Sequence, residues 1–185
     1  MDAETWHIPL RCNSTIIREA LERMEGFKLD QNDVPFVIRL FENPKYKMLP
    51  GAVTLDSHDI IHVLLGRGLL PKDEAFVIGF TMGTAQVSAL QKRVFRFVSR
   101  FLYPDGYRFR TRDLNIFENG IRCAKIMDCS DLSKVDLTQY TDYTIEMARE
   151  ELDIDVGLLE TYYRIEKRKN QNSPECQRLT RGFRI

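Results

Sequence analysis

Apolar positions along this chain recur at helical spacing, and alternating strand-like patterns are weak. Ile17, Leu21 and Met24 predict a first helix that Ser14 can cap and Gly26 can close. Val34 to Phe41 predicts a second, with Pro35 in its first turn, where the missing N–H does no harm, and Asn43-Pro44 after it. Leu55 to Leu65 predicts a third, stopped by Gly66 and Gly68, with Pro71 enforcing a turn. Asp73 then opens what reads as one long helix running towards Leu102 and ended by Tyr103-Pro104-Asp105-Gly106. Leu114, Phe117, Ile121 and Ala124 mark a further helix, and Thr138 or Thr141 caps one holding Tyr143, Met147, Leu152 and Val156. The expected fold is all-α: a single-domain helical bundle of six or seven helices over residues 1–163, containing a helix hairpin at 55–102. Residues 164–185 are polar and net basic, and read as a loosely ordered tail or an arm reaching a partner.

Composition adds bounds to this picture. A length of 185 residues fits one domain able to bury a core. The 27 basic and 27 acidic residues cancel, which argues against a whole-surface nucleic-acid binder but permits a local basic patch. Cys12, Cys123, Cys129 and Cys176 form no C-x-x-C pair and read as reduced thiols of a cytoplasmic protein. No apolar run is long enough to cross a membrane, and the acidic start Met1-Asp2-Ala3-Glu4, without an apolar core segment, does not read as a signal peptide or an Arg-rich presequence.

The chemistry concentrates in one segment. Two of the three histidines stand four apart in His58-Asp59-Ile60-Ile61-His62, and Glu74 follows after eleven intervening residues. Positions four apart share a helix face, one turn separated. A short Gly/Pro-containing connection brings the next helix back antiparallel, so Glu74 in its first turn can approach both imidazoles. His58, Asp59, His62 and Glu74 are therefore candidate ligands for a divalent metal; zinc, iron and manganese all suit two imidazoles and two carboxylates. Asp59 is the one best suited to hold a histidine tautomer or a water instead of the ion. The competing reading is a fortuitous histidine pair beside a helix-N-terminal acid favoured by the dipole.

The string His58-Asp59-Ile60-Ile61-His62-Val63-Leu64-Leu65-Gly66 followed by Glu74 resembles the signature of the Coq-four family of ubiquinone (coenzyme Q) biosynthesis proteins, His-Asp-x-x-His, eleven residues, then Glu. A weaker likeness is Ala148-Arg149-Glu150-Glu151-Leu152-Asp153-Ile154, similar to an Arg-Glu-Glu-Leu-Gly-Ile ending with Asp153 in place of the glycine. The match spans residues 53–102; the first fifty residues and the stretch after Arg164 lie outside it. This resemblance implies an all-α fold and a metal, usually zinc, on His58, Asp59, His62 and Glu74. It also implies work on prenylated quinone precursors at a membrane surface, in removal of the ring C1 carboxylate coupled to hydroxylation, and a part in organising a biosynthetic complex. A metal-dependent lyase or oxidative decarboxylase, peripheral to the inner face of the membrane, is the expected enzyme. The alternative is a non-catalytic lipid-binding or scaffold module, homo-oligomeric or complex-bound, in which the metal staples the hairpin.

Two further patterns bear on a lipid ligand. Ala75, Gly79 and Gly83 recur every four residues, a stripe that either admits close helix packing or leaves a groove for a prenyl chain beside Glu74. Lys92, Arg93, Arg96, Arg100, Arg108, Arg110 and Arg112 interleave with aromatics from Phe95 to Phe109. That region reads as a solvated basic face or as docking to anionic headgroups, with Arg96 and Arg100 the foremost candidates. Nucleic acid is disfavoured, because no recognition motif accompanies the basic residues. A His-Asp phosphohydrolase is disfavoured too, since only His7 remains outside the motif.

Overall fold

The structure is a computed structural model and describes residues 6–25, 50–103 and 108–180. It is a single all-α domain; the described residues contain no strand, only an isolated bridge between Ile16 and Thr144. Eight α-helices are described: α1 (Ile17–Glu25), α2 (Leu55–Leu65), α3 (Pro71–Thr84), α4 (Ala89–Phe101), α5 (Thr111–Met127), α6 (Ile145–Glu151), α7 (Val156–Lys169) and α8 (Pro174–Arg178), with a 3₁₀ turn at Leu137–Tyr140. The helix expected at Val34–Phe41 and most of the turn expected at Tyr103–Gly106 lie outside the described residues.

Local chemistry sets the ends of α2 and α3. The Thr54 hydroxyl accepts from the Ser57 amide at the start of α2, and Gly66 at φ 62° ends it in the left-handed region that glycine adopts freely. Pro71 occupies the first turn of α3, where Asp73 accepts from the Leu70 amide. Ile60 to Leu65 are all buried, so α2 is a central helix with no solvent face at its C-terminal end.

The single long helix expected from Asp73 to Leu102 is instead two. Gln86 takes φ 54°, the Val87 amide turns back to the Met82 carbonyl, and the Thr84 hydroxyl accepts from the Leu132 amide. Ser88 and Gln91 then start α4 as a reciprocal capping box. The Ser-x-x-Gln spacing marks this start in the sequence, although apolar residues continue on both sides of it. Likewise Thr144 caps α6 and Asp155 caps α7, where one helix through Val156 was expected.

α3 crosses α5 at close range, and the Ala75–Gly79–Gly83 stripe is the reason. A Cβ on Gly79 would lie 2.2 Å from the Phe117 carbonyl oxygen, and one on Gly83 2.7 Å from Ala124 Cβ. Across the crossing, a Cβ on Gly120 would lie 2.4 Å from the Phe76 carbonyl oxygen. The stripe is thus a packing surface filled by α5, and the expected prenyl groove along Gly79 and Gly83 is not there; Ala75 is buried with them.

The segment from residue 164 is also not a tail through residue 180. α7 continues to Lys169, α8 follows, and Glu166, Cys176, Arg178 and Leu179 are buried against the body of the domain. Polar composition misled here because the buried charges are paired with charges elsewhere in the chain.

Candidate metal centre

His58 and His62 project from one face of α2, with ring centroids 4.6 Å apart, and Glu74 meets them from the first turn of α3. Glu74 Oε2 is 3.3 Å from His58 Nε2, and Glu74 Oε1 is 3.3 Å from His62 Nε2. One ligand atom from each residue falls within 4.8 Å of the other two. Asp59 stands outside this group: its carboxylate is 4.0 Å from His58 Nδ1, on the far side of the ring from the shared point. The four-residue set expected from sequence thus resolves into three convergent donors and one carboxylate behind a ligand.

Exposure is graded across the centre. The His62 side chain is fully buried, while His58 retains 20% and Glu74 30% exposure, so the centre opens on the His58–Glu74 side.

His62 Nδ1 lies 2.7 Å from the Gly68 carbonyl oxygen, an acceptor, so this nitrogen carries the proton. In the neutral ring that leaves the Nε2 lone pair facing Glu74. His62 Nε2 is buried without a hydrogen-bond partner: the 3.3 Å approach of Glu74 lacks hydrogen-bond geometry. Two acceptors held face to face repel unless positive charge sits between them. Burial alone would raise the Glu74 carboxyl, but with the imidazoles protonated their charge holds it well below the usual carboxylate range. Either a proton on Nε2 or a cation between the donors relieves that repulsion, and His58, His62 and Glu74 form a group that could hold a metal ion.

A buried ionic network fixes the loop that joins the two ligand helices. Arg67 is fully buried, donates to both Glu166 oxygens at 2.9 and 2.7 Å, and is sandwiched between the Phe76 and Tyr163 rings at 3.9 and 4.2 Å. Burial works against its charge, but Glu166 and Tyr163 together hold the guanidinium above its ordinary value. Asp73, the neighbour of Glu74, is buried and ion-paired to Arg178 from α8. The Tyr163 hydroxyl donates to the Leu65 carbonyl at 2.6 Å, and Arg149 donates to the Leu64 and Leu10 carbonyls at 2.8 and 2.7 Å. The last carbonyls of α2 are thereby satisfied by side chains from α6 and α7.

Sequence reasoning missed Arg67, Arg149, Tyr163, Glu166 and Arg178 in this role. The one available signal was an arginine flanked by Gly66 and Gly68 between the apolar runs Val63-Leu64-Leu65 and Leu69-Leu70. A Cβ on Gly68 would lie 1.9 Å from Arg178 Nη2 and 2.7 Å from the Trp6 carbonyl oxygen, so glycine is what lets the loop reach His62.

The other residues expected near a ligand lie elsewhere. Arg96 pairs with Glu118 at 3.0 Å, and Arg100 donates to the Phe109 carbonyl at 3.3 Å, tying α4 to the approach to α5. Cys123 and Cys129 carry no histidine beside them, and burial pushes their thiols up to about 12 and about 11, as expected for packed side chains rather than thiolate ligands.

No protein-family model, no curated protein and no solved structure matches this chain. Among the described residues, no helix is long and apolar enough to cross a membrane.

Proposed function

We propose that the protein holds a divalent metal, zinc foremost and iron or manganese next, on His58, His62 and Glu74. It uses that centre to bind a prenylated quinone precursor of the kind handled by the ubiquinone-biosynthesis family it resembles. The observation that carries the reading is the convergence of two imidazole nitrogens and a carboxylate, with His62 Nε2 buried and unsatisfied. Three protein donors leave a coordination position open, as in catalytic centres, whereas structural zinc sites are closed by four. That favours a substrate-binding centre over the scaffold reading in which the metal only staples the hairpin.

The residues divide the work. His62, sealed and tautomer-locked by Gly68, anchors the ion, and His58 and Glu74 on the exposed side border the open position. Asp59 orients His58 through its Nδ1 side. The metal would supply Lewis acidity toward a ring oxygen or carboxylate, stabilising the negative charge that develops as the ring C1 carboxylate leaves.

Two features elsewhere support the family resemblance. Asp153 sits at φ 58°, in the left-handed region where the similar segment carries glycine. Arg149, of the same segment, caps α2 directly behind the centre.

The test is metal content by plasma mass spectrometry on protein purified without chelator or histidine tag. About one equivalent of zinc, iron or manganese is expected, lost in a His58→Ala/His62→Ala variant that keeps its helical circular dichroism. Metal-free parent protein after reconstitution overturns the reading. With cobalt in the site, added 4-hydroxybenzoate should change the visible spectrum; an unchanged spectrum would leave a closed, structural centre.

A further inference from the structure

A second feature of the molecule lies away from the metal centre. Lys72 and Glu74 are two residues apart on α3, about 200° around the helix axis, so they face opposite sides. Lys72 opens onto a groove of about 1040 Å³ between α5 and the α7–α8 connection.

One wall is a helix face: Arg112, Asn115, Asn119 and Arg122 follow at spacings of three and four along α5. The opposite wall is the end of α7 and the turn after it, bringing Arg168 and Lys169. Asparagine and glutamine side chains from residues 170–172 add amide donors between them.

The groove holds two carboxylates, and both are already engaged. Glu118 pairs with Arg96 at 3.0 Å and with Lys92 at 3.2 Å. Glu175 pairs with Lys72 at 2.8 Å. Burial would raise both carboxyls, yet these cations hold them below their ordinary values, so neither is available to other partners. Arg112, Arg122, Arg168 and Lys169 pair with no carboxylate among the described residues. Four cations held along one concavity repel one another and raise the local concentration of anions. A flat, solvated helix face would scatter such charges; here two separate elements converge them on a common space lined with amide donors. Guanidinium groups in this arrangement match phosphate oxygens, which accept their paired N–H donors.

We propose that this groove binds a phosphate-bearing anion, at a site separate from the metal centre and centred on Arg122 and Arg168. The phosphate comes either from a free phosphorylated small molecule or from an anionic lipid headgroup.

The experiment uses the full chain with two probes: inorganic pyrophosphate in a calorimetric titration, and phosphatidylcholine vesicles with and without phosphatidylglycerol in a flotation assay. Charge reversal in Arg122→Glu/Arg168→Glu reverses two of the groove's four unpaired cations, and Arg23→Glu/Arg93→Glu, both outside the groove, matches its change in net charge. Pyrophosphate should bind in a salt-sensitive way, about tenfold or more weaker in Arg122→Glu/Arg168→Glu and little changed in Arg23→Glu/Arg93→Glu. Binding of phosphatidylglycerol vesicles but not pyrophosphate, with the same dependence on Arg122 and Arg168, assigns the phosphate to a lipid headgroup. Binding of neither probe, or equal binding by the charge-reversed protein, overturns the proposal. Anion ligation at the metal centre would give that second result. The readout does not involve metal content, so the two sites stand or fall separately.

Discussion

At the scale of single residues, the centre depends on an atom that is not a ligand. The Gly68 carbonyl holds the proton on His62 Nδ1 and so delivers Nε2 to Glu74. Outer partners of this kind commonly change metal affinity by about ten- to a hundredfold. Gly68→Ala places a methyl group against Arg178 and the Trp6 carbonyl and displaces the loop. It is expected to weaken zinc binding by about tenfold while leaving the helical content intact, as measured by competition with a chromophoric chelator. An unchanged zinc affinity would mean that the Gly68 carbonyl does not govern the imidazole. Asp59 makes the opposite point. Its place in the motif suggested a ligand, but it lies 4.0 Å from the Nδ1 side of His58, and Asp59→Asn should leave the metal stoichiometry unchanged.

At the scale of elements, the α2–α3 hairpin does not hold its own shape. Arg67 in the connecting loop is fully buried, and its charge is balanced by Glu166 from α7, 99 residues away. Removing one member of a buried pair leaves an uncompensated charge and typically costs about 3–5 kcal/mol. Glu166→Ala should therefore lower unfolding stability by that order, seen as a fall in the urea midpoint. It should also weaken metal binding, because the loop between the ligand helices loses its anchor. Glu166 and Arg67 replaced together by apolar residues of similar volume should recover much of the stability, which separates charge balance from simple packing. The α3–α5 crossing contributes a different kind of constraint. Gly79 and Gly120 bring two backbones together, so the ligand helix α3 is seated against a rigid neighbour rather than along an open groove.

At the scale of the whole molecule, the C-terminal segment closes the domain through ion pairs, and this gives it a pH dependence. The Glu175 carboxyl, bonded to Lys72, is held below its ordinary value near 4.5. Its unfolded form binds protons at higher pH than its folded form. The stability it supplies is therefore complete above about pH 5 and lost as pH falls through its folded value. Glu118, held down by Lys92 and Arg96, acts in the same direction. Buried Asp73 is raised by desolvation and acts in the opposite one. The denaturation midpoint should fall between about pH 6 and about pH 3, and Glu175→Gln should flatten part of that slope. An identical slope in the variant would remove Glu175 from the account.

The amino-acid sequence by itself determined the local elements and the pairing of the two histidines. Helix caps act within a few residues: Thr54 and Gly66 bound α2 wherever it packs, and positions four apart share a face on any helix. The eleven-residue interval to Glu74 was legible for the same reason, since it is one short hairpin. Even the break before α4 was written locally, in Ser88 and Gln91. Only the tertiary structure decided which of the four candidates converge, because convergence depends on the angle between α2 and α3. That angle is set by Arg67, Glu166, Asp73 and Arg178, partners about 100 residues apart. It likewise decided that Gly79 and Gly83 face the α5 backbone, and that a polar C-terminal stretch is buried. A charge reads as exposed in sequence because burial without a partner is too costly, and the identity of a distant partner is information that no local pattern carries.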